Sequence, residues 1–165
     1  MNKKKKFFPF YSLQDIKFRL VRDNFLSKKK YINIMKKMMK DKKFNYLKVN
    51  NMIFFSKKDL VRLNKLGHIV GIHSHSHPTV INNLSYRSQK YEYSKCLQIV
   101  SKILKSSKSK IYSMSHPCGN FNKNTLKILD KLDLKLGFKN NMEINENKKI
   151  KNALYNKFLI NRENH

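Results

Sequence analysis

Four of the six histidines in this 165-residue chain fall in two short segments. His73, His75 and His77 lie in Gly71-Ile72-His73-Ser74-His75-Ser76-His77-Pro78, and His116 lies in His116-Pro117-Cys118-Gly119. Neutral imidazole is a good ligand for zinc and similar divalent ions. A catalytic site of that kind uses about three protein ligands and keeps one position open for water. A lone histidine in such a place would be read as part of a polar turn. Three within five residues, after an apolar run and before a proline, favour a metal site. Spacing leaves the type of site open, because His-x-His also occurs in other metallohydrolase folds, where two ligands project from one face of a strand. Cys118 beside His116 admits a thiol nucleophile with an imidazole base, but no neighbouring feature activates the thiol.

The elements that must position these residues read as alternating helices and strands. Tyr31, Met35, Met38 and Met39 fall at i, i+4, i+7 and i+8, an amphipathic helix beginning at Ser27 whose methionines form its core face. The first 26 residues show no clean period. Ser56-Lys57-Lys58-Asp59 is a capping box, Leu60, Leu63 and Leu66 form one stripe, and Gly67 is a natural stop. His68 to Ile72 then reads as a short strand ending at the histidines. Ser85 opens a long helix with Tyr93, Cys96, Val100 and Ile103 on one face. Lys110 to Ser115 reads as a strand that ends at His116. Asn122 or Asn124 caps a helix containing Leu126, Leu129 and Leu132, and Leu134 to Phe138 is a third strand. Residues 140–152 read as a polar loop and Phe158-Leu159-Ile160 as a last strand. Repeated β-α units imply parallel strands with right-handed crossovers, with functional residues gathered where strands end.

Composition narrows the class. The length and the 40% hydrophobic content suit one globular domain. No apolar run approaches the roughly 20 residues of a membrane span. The basic Met1–Lys6 followed by Phe7-Phe8-Pro9-Phe10-Tyr11 suggests a signal peptide, but the apolar stretch ends too early and no cleavage site follows. A cytoplasmic protein is the expectation. Two cysteines, Cys96 and Cys118, do not make a disulfide framework. The net charge of +27 invites a nucleic-acid partner. However, the cations comprise 32 Lys and only 5 Arg, dispersed along the chain, and Arg is the better side chain for bidentate phosphate and base contacts. Compositional drift of an AT-rich coding sequence explains this pattern better. Nonspecific, salt-dependent adhesion to polyanions follows either way.

The segment Gly67-His68-Ile69-Val70-Gly71-Ile72-His73-Ser74-His75-Ser76-His77-Pro78 resembles the second motif of the polysaccharide deacetylase family (NodB-homology domain). That motif is His, Ser or Thr, two variable residues and His, commonly followed by Pro. His73, Ser74, His77 and Pro78 match it. The resemblance implies that His73 and His77 bind a divalent metal, with zinc the expected ion. Ser74 would steady the loop, and His75 would be a neighbour rather than a ligand. Ile111 to Gly119 resembles the third motif, a strand ending in a Pro-aromatic-Gly turn that walls the substrate groove. Pro117 and Gly119 match; Cys118 holds the aromatic position and Ser115 that of an arginine. The resemblance covers roughly residues 56–139 well and the flanks loosely.

The implied activity is metal-assisted hydrolysis of an N-acetyl group on a sugar or glycan. The family's base and third ligand are consecutive aspartates in Thr-Phe-Asp-Asp, which is absent here. Asp15, Asp23, Asp41 and Asp59 each stand alone. The family's acid is the histidine of a Leu-x-His motif. The corresponding Leu159-Ile160-Asn161-Arg162 offers Arg162, which stays protonated. His165 is terminal, and His116 is a conceivable substitute from another loop. No catalytic base or acid is therefore assigned. The expected fold is α/β, a partial (β/α) barrel of the deacetylase type lacking its first strand. It would be one domain over 1–165: a lead-in over 1–55, a β-α core over 56–139, and a loop with a last strand over 140–165. A truncated reading frame and a degenerate remnant both explain the missing motif. The alternative function is a non-catalytic module that binds carbohydrate or polyanion.

Overall fold

Serine and asparagine caps set where the helices begin. A computed structural model describes residues 11–106, 110–140 and 153–162. Its helices are α1 (Leu13–Phe25), α2 (Lys28–Asp41), α3 (Tyr46–Ile53), α4 (Lys57–Lys65), α5 (Tyr86–Leu104) and α6 (Lys123–Lys131). Ser12, Ser27, Asn45, Ser56, Ser85 and Asn122 each accept a hydrogen bond from a first-turn backbone N–H, satisfying a donor that the helix itself cannot. The chain divides into two compact units, Met1–Phe54 and Phe55–His165.

The first unit holds α1, α2 and α3. Periodicity gave no element before residue 27, yet α1 is present. Its signal is the capping box, in which the Ser12 and Asp15 side chains each take the other's backbone N–H, at 3.0 Å and 3.1 Å respectively. Phe18 of α1 packs on Tyr31 of α2, with ring centroids 6.3 Å apart. On α2, Tyr31, Met35 and Met39 are half-buried, while Met38 is 51% exposed. The methionine face is therefore narrower than the expected core stripe. The short helix α3 was not foreseen.

In the second unit, α4 has the expected Ser56–Asp59 box. It stops before Gly67, whose φ of +88° is the left-handed geometry glycine adopts without penalty. The strands are shorter than the sequence suggests. Strand β1 (Ser113–Ser115) pairs in parallel with β2 (Leu136–Phe138). The segment expected as His68–Ile72 contributes only a parallel bridge from Ile72 to Met114, and the last segment only a bridge from Ile160 to Phe138. Phe158, expected in that last strand, ends a 3-10 turn over Ala153–Phe158. The four segments thus lie side by side in chain order.

The described residues form a mixed helical fold with a small parallel sheet, and they do not close a barrel. The physical reason lies at the first segment. Ile72 exchanges its N–H and C=O with Ser113 and Ser115, at 3.0 Å and 3.1 Å, on one side only. With no described strand on its other side, residues 68–71 have no ladder to join. The expected loop over 140–152 falls almost wholly outside the described residues.

Helices α5 and α6 pack on each other and share one hydrophobic core with the sheet segments. The core contains Ile72, Met114, Ile111, Tyr93, Leu97, Val100, Leu126, Ile128, Leu129, Leu134 and Phe158. A polar seam fixes its register. Buried Thr125 donates to Gln89 Oε1 at 2.7 Å, and Gln89 donates to the Leu84 carbonyl at 2.8 Å. Each of these polar groups is satisfied, so their burial carries little penalty. No described helix is long and apolar enough to cross a membrane.

Candidate functional site

The Ile72 bridge delivers the chain directly to His73. The His73 Nδ1 lies 2.8 Å from the Ser115 carbonyl oxygen and 2.8 Å from Ser115 Oγ. Nδ1–H donating to that carbonyl fixes the tautomer and leaves the Nε2 lone pair available. This second hydrogen bond is the usual accompaniment of a metal-binding histidine. The backbone then turns sharply, with Ser74 at φ 64° and His77 at φ 51°, both in the left-handed region. The Ser74 hydroxyl accepts from the His77 N–H at 3.2 Å, closing the turn as a small cap. The turn brings the His73 and His77 rings together, with centroids 4.9 Å apart and planes at 56°.

His75 does not join that pair; its ring meets the edge of Tyr91 at 6.1 Å. Its backbone points the other way. The His75 and Ser76 N–H groups donate to Glu92 Oε2 at 2.9 Å and 2.7 Å, and the Ser76 hydroxyl donates to Oε1 at 2.6 Å. Glu92 was missed in the sequence. It sits one position before Tyr93 on α5, and only its lone acidic character within a basic, apolar helix marked it.

Burial holds the His73 imidazole below its ordinary pKa of 6.5. The Ser115 carbonyl opposes this, while the neighbouring His77 and Arg162 side chains act with burial. A neutral ring near pH 7 is the ligand form. A pocket of about 370 Å³ opens beside His73, with Gly71, Ser113, Ser115, Phe138 and Arg162 in its lining. Arg162 therefore does reach the site region.

The third-motif turn is placed differently. Pro117 is buried and Cys118 is exposed at φ 53°, and neither they nor Gly119 line the pocket beside His73. His116 points inward. It is 2% exposed, its ring lies 4.6 Å from that of Phe121, and its Nε2 donates to the Phe158 carbonyl at 2.8 Å. Burial pushes its pKa down to about 4, against the Phe158 bond, so it is neutral near pH 7 and has no proton to spare as an acid. Asp15 and Asp59 are occupied in their capping boxes, and Asp23 pairs with Arg22 at 2.7 Å. His165 lies outside the described residues. A larger groove of about 880 Å³ runs between α4 and α5, but it contains only cationic and aliphatic side chains and offers no ligand.

The donor set offers a borderline divalent metal two imidazoles, one with its partner hydrogen bond already made. Among the described residues no third His, Cys, Asp or Glu completes the group.

Known proteins bear on this arrangement. No curated protein matches the chain. The fold is similar to that of Streptococcus pyogenes deacetylase PplD in complex with acetate, at 22% identity and a TM-score of 0.55. The likeness covers 69% of this chain and 47% of that one, so this chain spans about half the length of that deacetylase. A family model described as polysaccharide deacetylase matches residues 28–137, which include both histidine segments. With two thirds of its length inside that match, the chain belongs to the polysaccharide deacetylase family.

Proposed function

We propose that the His73–His77 loop is the histidine half of a metal-dependent deacetylase site that acts on N-acetylated sugar or glycan. The observation that carries this reading is the pairing of the two rings at 4.9 Å on a turn closed by Ser74, inside the family match. His73 and His77 would hold a divalent ion, with zinc favoured by two imidazole ligands. Such an ion polarises the acetamide carbonyl and lowers the pKa of bound water. The chain's own residues do the rest of the described work. Ser115 fixes the His73 tautomer, Ser74 sets the turn, and the pocket beside His73 offers room for an acetamido group. Acetate in the PplD complex is the product such a reaction would release. The sheet, with its segments in chain order, would be an arc of the (β/α) barrel.

The test is metal content and acetate release. Purified protein loaded with Zn²⁺ should retain it after desalting, and His73→Ala and His77→Ala should each abolish retention. Unchanged metal content in both variants would sink the assignment. A second reading, a module that binds without hydrolysing, is favoured by Arg162. Its guanidinium comes from the segment that corresponds to the family's Leu-x-His motif, lines the pocket beside His73 and cannot release a proton near neutral pH. Metal retention without acetate release from N-acetylated chitooligosaccharides would select that reading.

A further inference from the structure

We propose that Glu92 is a positioning residue for the metal ligands: its carboxylate holds the His73–His77 loop in the shape that presents both imidazoles to one ion. This rests on the metal reading above and adds to it a residue that acts through the loop rather than on the ion.

Glu92 is one of only ten acidic residues in a chain with 37 Lys and Arg, yet it is 8% exposed and, among the described residues, its hydrogen-bond partners all lie in one loop. Its two oxygens accept three donors, two of them consecutive backbone N–H groups at the middle of the loop. Those two N–H groups belong to exposed residues, so the carboxylate competes with water for them, and its advantage is to hold both at once in a fixed geometry. The loop also needs external support, because Ser74 and His77 are non-glycine residues at positive φ, a conformation that costs roughly 1 kcal/mol or more apiece. The support is rigid. Glu92 projects from α5 beside Tyr93, which is fully buried.

The two ligands depend on this clamp unequally. His73 is independently fixed by the Ile72 bridge and by Ser115. Among the described residues, His77 has the Ser74 hydroxyl on its N–H, the neighbouring His73 ring and the path of the chain beyond the clamp. Glu92 therefore acts chiefly on His77.

The experiment titrates the full chain with Zn²⁺ and with Co²⁺ alone, reading affinity by calorimetry and cobalt ligand-field absorption, with folding followed by circular dichroism. Glu92→Gln keeps the size but replaces one acceptor oxygen with a donor. It should weaken metal binding about 10- to 100-fold, the range typical of residues that orient ligands, and shift the cobalt spectrum. Glu92→Asp retains the charge without the reach. It should behave like Glu92→Gln if position matters and like the parent if only the negative charge does, which would overturn the proposal. In a His77→Ala background, Glu92→Gln should have no further effect on residual binding; full additivity would also overturn it. Where Glu92→Gln fails to fold, Ser76→Ala, which removes the hydroxyl bond to Oε1, decides: several-fold weaker binding supports the clamp, and unchanged binding refutes it. A parent protein that binds neither ion removes the metal reading itself and the clamp's purpose with it. A parent that binds while every variant binds equally well removes the clamp alone.

Discussion

His116 should couple the stability of the second unit to pH over a defined window. In the folded chain the ring is 2% exposed, Nε2–H is committed to the Phe158 carbonyl, and Nδ1 is buried without a hydrogen-bond partner among the described residues. Protonation would place a second N–H, and a charge, where nothing described accepts them. Hence the folded pKa falls to about 4 from the ordinary 6.5. A depressed folded pKa favours the folded state above 6.5, and the advantage is lost as pH falls from 6.5 toward 4, because the unfolded chain takes up the proton first. At about 1.4 kcal/mol per pH unit, the loss attributable to this ring is about 2 kcal/mol between pH 7 and 5 and about 3 kcal/mol by pH 4. Urea unfolding of metal-free protein at pH 7, 6 and 5 would measure it against His116→Gln, which can donate the same bond but does not titrate. The difference in unfolding free energy between the two proteins should narrow by about 2 kcal/mol on going from pH 7 to 5. Parallel pH profiles for the two proteins would refute the assignment of a buried neutral imidazole.

Two further outcomes follow from packing and capping. A Cβ at Gly137 would lie 2.8 Å from Phe158 Cα and 2.9 Å from the Phe158 carbonyl oxygen, both backbone atoms that cannot swing aside. Gly137→Ala should therefore cost about 1–3 kcal/mol in urea unfolding, and an unchanged midpoint would show that the segment at Phe158 yields freely. Ser56→Ala removes the cap of α4 and should cost about 1 kcal/mol, with faster amide exchange in the first turn of that helix. Unaltered exchange at Asp59 N–H would contradict the cap.

Much of the site was legible because local chemistry set it. The turn from Ile72 to Pro78 depends on residues a few positions apart, and Ser74 reaches the His77 N–H as the motif implies. The caps at Ser56, Ser85 and Asn122 were legible for the same reason, while the Ser12–Asp15 box was overlooked because no hydrophobic period drew attention to it. Contacts between distant residues were not legible. Glu92 lies 16 and 17 positions from the backbone it holds, and His116 lies 42 from the Phe158 carbonyl that engages it. Neither pairing leaves a period or a spacing in the sequence. Strand lengths were overestimated for a related reason: apolar runs such as His68–Ile72 show what a segment would do beside two neighbours, and Ile72 is bonded to one.

The side-by-side order of the four sheet segments bears on how the molecule comes to be made. Each segment bonds to the one synthesised before it: Met114 to Ile72, β2 to β1, Ile160 to Phe138. A chain emerging from the ribosome can thus add these four described segments one at a time. The histidine turn is laid down at the start of that series and Phe158 arrives near its end. Until Phe158 docks, the imidazole of His116 lacks both its cover and its carbonyl partner and titrates as an ordinary histidine. In mildly acidic medium the docking of Phe158 is therefore accompanied by the release of a proton, a chemical record that this contact has formed.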